Sequence, residues 1–490
     1  MAMMLSLLIV VFVLCAAGGV AVRMARADSR AMTPDEPGRS WLPIVVVTAV
    51  AVLSLLMVTL VPPMQSPDEN SHLQRAYSLA DGQFLIAPNS RMQPENQDVD
   101  AGLRSYIETW QYQLATKQGN RVTPAVEGLS RQISFAGEEV RVMNGAAPYF
   151  PVLYAPASAG LALAQKLGEP VWIGAIWARL GMWLVSMVAF ALALTIARAG
   201  RNTLMATGLL PMTLAQFGSV NLDAMTISMG VLAVALLTSG ILGGAASDSF
   251  YPRWQRWGVW VLLALLALTK PLFVAFLIPV FVWAVWRQGN RLHLVVIAAI
   301  GAVLLGWMAH MANNFVDARI AHSGSTFSNL LTAVASPIDT AGLVARTLHT
   351  NADFYWQTMI GRLGWLDTPL TGLLYGAGGW LLAGGVISDA LSGNRSSLRD
   401  RSIYLASTLA FIAAAFLIML AAWTPSQSQV IEGVQGRYFL PALPLAAAAL
   451  GLSRPRWPCA ASSVMALVVL FYLVVLLLEL PRILLYRFWL

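Results

Sequence analysis

Charged residues are scarce in this chain: Asp, Glu, Lys and Arg together make up 11% of its 490 residues, whereas 57% are hydrophobic. A water-soluble globular chain of this composition would lack the polar residues needed to cover its surface. The net charge of +7 does not indicate nucleic-acid binding, because the basic residues punctuate apolar runs instead of clustering on one soluble face. The composition therefore predicts a membrane protein without a nucleic-acid partner.

Cysteine is equally scarce, and the motifs of soluble enzymes are missing. Cys15 and Cys459 lie in or beside apolar runs, and the long polar segments contain no cysteine, which argues against disulfides and thiol chemistry. No Ser-His-Asp order, phosphate loop or dinucleotide fingerprint stands in a fitting context. The chemistry of this chain must therefore be sought where polar residues meet the membrane.

Twelve apolar runs are long enough to cross a hydrocarbon core of about 30 Å, counting the stretch 257–286 as two short helices separated by Lys270-Pro271. The first run has no Lys or Arg before it, so we interpret residues 1–41 as an uncleaved anchor with a cytoplasmic linker. Residues 42–490 form the main all-α transmembrane domain. The other predicted spans are 3–22, 42–61, 171–197, 203–219, 222–244, 292–312, 368–388, 402–423, 438–452 and 460–480.

The positions of the basic residues predict the orientation of these spans. Fifteen arginines stand in six short loops that alternate correctly with the spans, and the excess of Lys and Arg in short loops marks the cytoplasmic side. The polar segments 62–170, 313–367 and 424–437 then face outward, to the periplasm or cell exterior. Within the first of them, the apolar stretch 149–168 is predicted to be an interfacial helix that lies flat on the outer leaflet.

The segment VPPMQSPDENSH places two acids and an imidazole directly after the second span. One interpretation is a capping box, with Ser66 as N-cap, Pro67 at the first helical position and Glu69 at N3. The other is catalytic: a carboxylate at the lipid surface takes the proton of an acceptor hydroxyl during glycosyl transfer. Asp68 is the first candidate for this base, Glu69 the second, and His72 would contact the substrate.

The same residues also suggest a metal site. Asp68, Glu69 and His72 offer oxygen and nitrogen ligands suited to Mg²⁺, Mn²⁺ or Zn²⁺. A divalent cation, Mg²⁺ or Mn²⁺, is the cofactor that such a site would hold, although a fourth ligand is not evident.

Four cations near the outer boundary are candidates for stabilising a departing phosphate. Lys270 stands at the break between two short helices, and Arg437 and Tyr438 open a span. Lys270 and Arg437 are favoured over Arg179, which we expect to pair with a carboxylate inside the bundle. Helix capping for Lys270 and snorkelling for Arg437 remain open alternatives. Arg362 is the fourth cation.

The second outer loop ends in NADFYWQTMIGRLGWLDTPL. Here Trp365 would stack on a sugar, Asp367 would bind its hydroxyls, and Arg362 precedes both. An aromatic belt at the membrane interface explains the aromatic residues of this segment equally well.

The motifs PPMQSPDENSH, PYFPVLYAP, LTKP, GWLDTPL and GRYFLPALPL, in this order, resemble the bacterial membrane family catalogued as domain of unknown function 2142, over about residues 43 to 480. That family resembles the GT-C glycosyltransferases. The resemblance implies a polyprenyl-phosphate-linked sugar donor, inversion at the anomeric carbon, an acidic pair at Asp68 and Glu69, and a lipid-phosphate site at Lys270 and Arg437. The extra N-terminal span departs from the simplest GT-C arrangement.

The leading hypothesis is therefore an inverting glycosyltransferase of the inner membrane, acting on a periplasmic glycan or a lipid-linked acceptor. A transporter or flippase of a lipid-linked saccharide is the alternative, and it would need a substrate cavity reaching the midplane and paired broken helices. A scaffold protein, the third class, would not need the acid cluster.

Overall fold

The computed structural model describes residues 41–115, 119–239, 253–283, 285, 291–317, 319, 325–392, 397–451 and 458–490. The predicted span at 3–22 and the rest of the anchor and linker lie outside these ranges. The described chain is all-α apart from two small antiparallel sheets, in which β1 pairs with β2 and β3 with β4. The predicted all-α class is confirmed.

The first half of the chain alternates long apolar helices with a structured polar loop. Its elements are α1 (Leu42–Leu60), α2 (Glu69–Ala80), β1 (Gln97–Asp100), α3 (Ala101–Trp110), a π-helix (Gln111–Ala115), α4 (Pro124–Gln132), β2 (Glu139–Val142), a 3₁₀ helix (Pro151–Tyr154), α5 (Ala155–Leu167), α6 (Val171–Ile196), α7 (Arg201–Leu209), α8 (Pro211–Phe217) and α9 (Leu222–Ser239).

The second half contains more interrupted helices. Its elements are α10 (Arg253–Thr269), a 3₁₀ helix (Pro271–Phe276), α11 (Leu277–Trp283), α12 (Arg291–Asn314), α13 (Thr326–Ala335), α14 (Pro337–Thr350), α15 (Ala352–Ile360), β3 (Arg362–Leu363), β4 (Thr368–Pro369), α16 (Gly372–Ser392), α17 (Leu398–Ala422), a 3₁₀ helix (Gly436–Ala442), α18 (Leu443–Leu450) and α19 (Pro458–Phe488).

Six of the described helices are long and apolar enough to cross a membrane: α1, α6, α9, α12, α17 and α19. The twelve spans predicted from the sequence are therefore confirmed only in part. Helix α9 is the most buried of the six and α12 the least. Because α9 contributes to both large apolar clusters of the bundle, it is the central helix around which the other segments pack.

Proline interrupts three segments that the sequence marks as apolar. The run 203–219 is broken between α7 and α8, where Pro211 opens the second piece. The run 257–286 divides at Lys270-Pro271, as predicted. The run 438–452 starts as a 3₁₀ helix that contains Pro441. Proline cannot donate to the preceding turn and clashes with it, so each of these segments changes helical geometry at that point.

Helix α5 runs alongside α6, so it does not lie flat on the membrane surface if α6 crosses the membrane. The prediction of an interfacial helix at residues 149–168 is therefore wrong. The two helices form an antiparallel hairpin joined at Gly168, which has a φ of +70°. A Cβ at Gly160 would meet the backbone of Trp177 and Ala178 at 2.6 to 2.7 Å, and one at Gly181 would meet the carbonyl oxygen of Pro156. These contacts recur along α5, so its axis follows that of α6.

The segment ends assemble into two groups at opposite ends of the bundle. The end of α1, the start of α2, the first turn of α9, the Lys270 break and the 3₁₀ helix Gly436–Ala442 meet at one end. The start of α1, residues 197–202, the end of α16 and the start of α19 meet around a cavity at the other. All helix ends of one group are those that the arginine distribution in the sequence assigns to the outer side, and all ends of the other group are those that it assigns to the cytoplasmic side.

Candidate functional site

Asp68 occupies a strained position between α1 and α2. Its backbone φ is +62°, in the left-handed region that residues other than glycine rarely adopt. The side chain is 62% exposed, and Oδ2 lies 3.6 Å from Nη2 of Arg437. Helix α2 begins at Glu69 and Asp68 makes no capping hydrogen bond, so the predicted capping box that starts at Ser66 is wrong. Backbone strain of this kind recurs at functional sites.

Glu69, the next residue, points into the bundle. Its two oxygens accept hydrogen bonds of 2.7 Å each from Nε and Nη2 of Arg179, and Oε1 also accepts one from the Val220 amide at 3.2 Å. The Arg179 guanidinium in turn donates to the carbonyl oxygens of Val58, Val61 and Pro62. Both side chains are buried. This geometry argues against the predicted catalytic role of Glu69, and it gives Arg179 the carboxylate partner that the sequence predicted.

A second carboxylate, Asp223, joins the two favoured cations. It lies in the first turn of α9, where Oδ2 accepts a 2.6 Å hydrogen bond from Nε of Arg437 and Oδ1 accepts one from Nζ of Lys270. Lys270 reaches it from the proline break, and Arg437 from the start of the 3₁₀ helix Gly436–Ala442. The structure thus brings together the two cations that sequence spacing places 167 positions apart.

Arg437 contacts most members of the cluster formed by Asp68, Asp223, Lys270, Arg437 and Tyr438. Only 2% of its side chain is exposed, and its Nη1 is buried without a partner in the described part of the chain. The ring of Tyr438 lies 5.0 Å from Nζ of Lys270 and 5.5 Å from Cζ of Arg437, within the range of cation–π contacts. A buried, incompletely bonded guanidinium is a strong candidate for binding an anion, because an unsatisfied buried donor is costly.

The cluster is closed in this conformation. A cavity of only about 10 Å³ adjoins Asp223, Lys270, Arg437 and Tyr438, which is roughly the space that one water molecule needs. A phosphate group therefore requires the contacts of Asp223 to open before it reaches both cations.

His72 lies beside the cluster as a buried neutral imidazole. Burial lowers its pKa to about 4, against the opposing effect of Asp68 and Asp223. Nδ1 lies 2.6 Å from Oη of Tyr154, and the ring stacks on Tyr149 at 5.9 Å. Burial also raises the pKa of Tyr154 well above its ordinary value, so this phenol keeps its proton.

The tautomer of His72 follows from this contact. Oη of Tyr154 has no other hydrogen-bond partner among the described residues, so we assign the Tyr154 hydroxyl as the donor and Nδ1 of His72 as the acceptor. The imidazole proton then sits on Nε2. Nε2 has no protein partner in the same ranges and keeps some contact with solvent. His72 therefore offers a neutral N–H donor next to Asp68.

The other predicted site residues, Trp365, Asp367 and Arg362, make structural contacts outside the cluster and do not touch it in the described structure. Nε1 of Trp365 donates to the carbonyl oxygen of Met64 at 2.6 Å, and Oδ2 of Asp367 pairs with Arg487 at 2.7 Å. Arg362 donates to Gln357 at 3.3 Å. These contacts tie the loop between β3 and β4 to the turn before Asp68 and to the end of α19, so they position the site from outside.

The predicted metal site is not assembled. Within the described ranges, no three His, Cys, Asp or Glu side chains are grouped to hold a metal ion. The physical reason is local: Glu69 faces Arg179, and Nδ1 of His72 faces Tyr154.

Asp223 was missed by the sequence reasoning, although a signal existed. It stands in NLDAM at the start of an apolar run, and an ionisable residue in a predicted span is a functional candidate by default. A carboxylate within a span carries the same signal as the cations Lys270 and Arg179.

The bundle and its cluster define a class: a polytopic α-helical membrane protein with a buried ionic site at one end. More narrowly, the chain belongs to the family described as predicted membrane protein (DUF2142), which matches residues 51–446. Asp68, Asp223, Lys270 and Arg437 all lie inside the matched stretch. No curated protein and no solved structure matches the chain.

Proposed function

We propose that the chain is an inverting glycosyltransferase that moves a sugar from a polyprenyl-phosphate-linked donor to a glycan or lipid-linked acceptor at the outer membrane surface. One observation carries the proposal: the exposed carboxylate of Asp68 lies 3.6 Å from a buried arginine that, with Lys270, forms a cation pair. The resemblance to GT-C enzymes points to the same chemistry. The outward orientation of this end rests on the distribution of basic residues.

In the proposed reaction, Asp68 accepts the proton of the acceptor hydroxyl. The acceptor oxygen attacks the anomeric carbon from the face opposite the donor phosphate and forms the new glycosidic bond. The bond between the anomeric carbon and the phosphate oxygen breaks, and its electron pair leaves with the phosphate. Lys270 and Arg437 stabilise the negative charge that develops there. No metal ion is needed to balance these steps.

The contact between Asp68 and Arg437 opens first and admits the sugar, because it is the longest contact of the cluster and its carboxylate is exposed. The two hydrogen bonds that hold Asp223 then open, so that the donor phosphate reaches Lys270 and Arg437. In the proposed site, Nε2 of His72 donates a hydrogen bond to a hydroxyl of the sugar or acceptor, and Tyr438 covers the phosphate. Because His72 stays neutral, it binds without adding a second positive charge beside the base.

The test is replacement of Asp68 by Asn in a deletion strain, followed by mass spectrometry of surface glycans and polyprenyl-linked sugars. The matched control is Asp81→Asn, an exposed acid at the other end of α2. Asp68→Asn should lower transfer at least about 100-fold and cause the polyprenyl-linked sugar to accumulate, while Asp81→Asn restores the wild-type glycan. A normal glycan with Asp68→Asn at normal protein levels refutes the assignment.

A transporter or flippase is the second candidate, and the interrupted segments favour it. The breaks at Pro211 and Lys270-Pro271 and the 3₁₀ helix with Pro441 are discontinuous helices of the kind that form transport sites. Purified protein in detergent separates the two functions, because micelles have no two sides. Transfer of sugar from donor to acceptor in detergent supports the transferase; movement across liposomes without any transfer supports the transporter.

A further inference from the structure

A second cavity lies at the end of the bundle opposite Asp68. Its volume is about 240 Å³, and it forms where the start of α1, the loop before α7, the end of α16 and the start of α19 meet. Helix α1 runs from this cavity to the turn before Asp68, and its 19 residues span about 27 Å at 1.5 Å per residue. The two sites are therefore separated by about the thickness of a hydrocarbon core.

The cavity carries an excess of positive charge. Arg198 and Arg201 both line it, and Asp389 is the one acidic side chain that the described residues contribute to the lining. The carboxylate of Asp389 is already occupied: it accepts hydrogen bonds from the amides of Asn202 and Thr203 at 2.9 and 2.8 Å, and from Oγ1 of Thr203 at 2.7 Å. It therefore caps the start of α7 and does not pair with Arg201.

Arg201 has no hydrogen-bond or ion-pair partner within the described ranges, and its Nε is fully buried. A partly buried guanidinium without an acceptor is unfavourable unless a ligand supplies one. Its planar group of donors matches the oxygens of a phosphate in a bidentate manner. Asn202, Ser392 and Ser462 add polar side chains to the same lining.

We propose that this cavity binds the phosphate group of an anionic ligand, which the surroundings identify as the headgroup of an anionic phospholipid. The volume of about 240 Å³ is many times the space that one water molecule needs, enough for a phosphate with a glycerol-sized substituent. The apolar Leu42 and Pro43 form part of the wall, and the neighbouring Ile44 is exposed on α1, so the cavity borders the lipid-facing surface. Basic pockets between membrane helices bind such headgroups.

The experiment measures lipid retention by the full-length protein in detergent. Native mass spectrometry counts the phosphatidylglycerol molecules that remain bound to wild type, Arg201→Gln, Arg201→Lys and Ser462→Phe. The control is Arg399→Gln, which removes an exposed arginine on the same predicted side of the membrane. Thermal unfolding of each variant shows that it is folded. Ser462→Phe fills the cavity from an exposed position without removing a charge.

Arg201→Gln should weaken phosphatidylglycerol retention roughly tenfold, since a charge-assisted hydrogen bond is lost. Ser462→Phe should weaken it as well, and Arg201→Lys should fall between wild type and Arg201→Gln, because lysine keeps the charge but loses the bidentate geometry. Arg399→Gln should keep the wild-type retention. Competition with inorganic phosphate shows which kind of molecule supplies the phosphate group. If bound phosphatidylglycerol is displaced only by phosphatidylglycerol vesicles, the ligand is a lipid. If millimolar phosphate displaces it equally well, the ligand is a soluble phosphate compound. Equal retention by wild type, Arg201→Gln and Ser462→Phe overturns the proposal.

Discussion

Asp68 and Glu69 are neighbours in the chain but lie in opposite environments. Asp68 is exposed beside Arg437, whereas Glu69 is buried against Arg179. The left-handed backbone at Asp68 starts α2 two residues later than a capping box at Ser66 would, and it separates the exposed side chain of Asp68 from the buried one of Glu69. Sequence reasoning identified the acidic pair but did not separate the roles of its members, because a single backbone angle decides them.

Replacing Glu69 by Gln should therefore destabilise the fold and leave the chemistry intact. The substitution leaves Arg179 buried without a counter-charge, which costs about 3 to 5 kcal/mol. We expect a lower thermal unfolding midpoint in detergent and less protein in the membrane, with unchanged sugar transfer per folded molecule. Asp68→Asn should show the reverse pattern, with a normal midpoint and lost transfer.

Both variants are measured side by side, with Asp81→Asn as the exposed control from the same helix. A Glu69→Gln protein that unfolds at the wild-type temperature yet transfers no sugar would restore Glu69 to the catalytic role and refute the structural one.

His72 should make stability depend on pH. Its pKa in the folded protein is about 4, below the ordinary value of 6.5, so between these values the unfolded chain binds a proton that the folded chain does not. Stability is therefore full above pH 6.5 and falls as the pH is lowered towards 4. The charged groups acting on the imidazole are Asp68 and Asp223, which favour protonation, and Lys270 and Arg437, which oppose it.

The measurement is the unfolding midpoint at pH 7 and pH 5. His72→Gln should reduce the difference between the two midpoints, since a neutral amide does not titrate. The exposed His349 supplies the control, and His349→Gln should keep the wild-type difference. An unchanged difference in His72→Gln would show that another group controls the pH response.

At the scale of elements, the α5–α6 hairpin depends on glycines at the contact between its helices. Gly160→Ala would place a methyl group against the backbone of Trp177 and Ala178, and backbone atoms move aside less easily than the end of a flexible side chain. Overpacking of this kind costs about 1 to 3 kcal/mol. We expect a measurably lower unfolding midpoint for Gly160→Ala.

The control for this prediction is Gly301→Ala in α12, where a Cβ would meet no atom within 4 Å. Its midpoint should stay the same or rise, because alanine is the better helix former. Equal midpoints for the two variants would mean that α5 does not pack against α6 as closely as the structure has it.

The elements show why sequence reasoning succeeds for long apolar helices and fails for packed short ones. Apolar length alone identifies α1, α6 and α9, and proline identifies the break after Lys270. The pairing of α5 with α6 depends on glycine contacts between two apolar helix faces. In the sequence, such a face cannot be distinguished from one that faces lipid. The position of Asp223 beside Arg437 is likewise a tertiary contact, 214 positions apart, that no local pattern contains.

At the scale of the whole molecule, the bundle has two polar ends of different character. The end with Asp68 combines two acids, two cations and aromatic rings, whereas the other presents two arginines around a cavity. The grouping of segment ends agrees with the alternation of basic loops in the sequence. Which end faces outward still follows from the basic residues alone, so it is open to a direct test.

Single cysteines provide that test. In a chain with Cys15 and Cys459 replaced by Ser, Asp81→Cys probes the end with α2 and Arg399→Cys probes the opposite end; both positions are exposed. We expect a membrane-impermeant maleimide to label Asp81→Cys in intact spheroplasts and Arg399→Cys only after permeabilisation. The reverse pattern would place Asp68 and its cations in the cytoplasm, where the acceptor of the proposed transfer would have to be a cytoplasmic molecule and the proposed outer-surface reaction would fail.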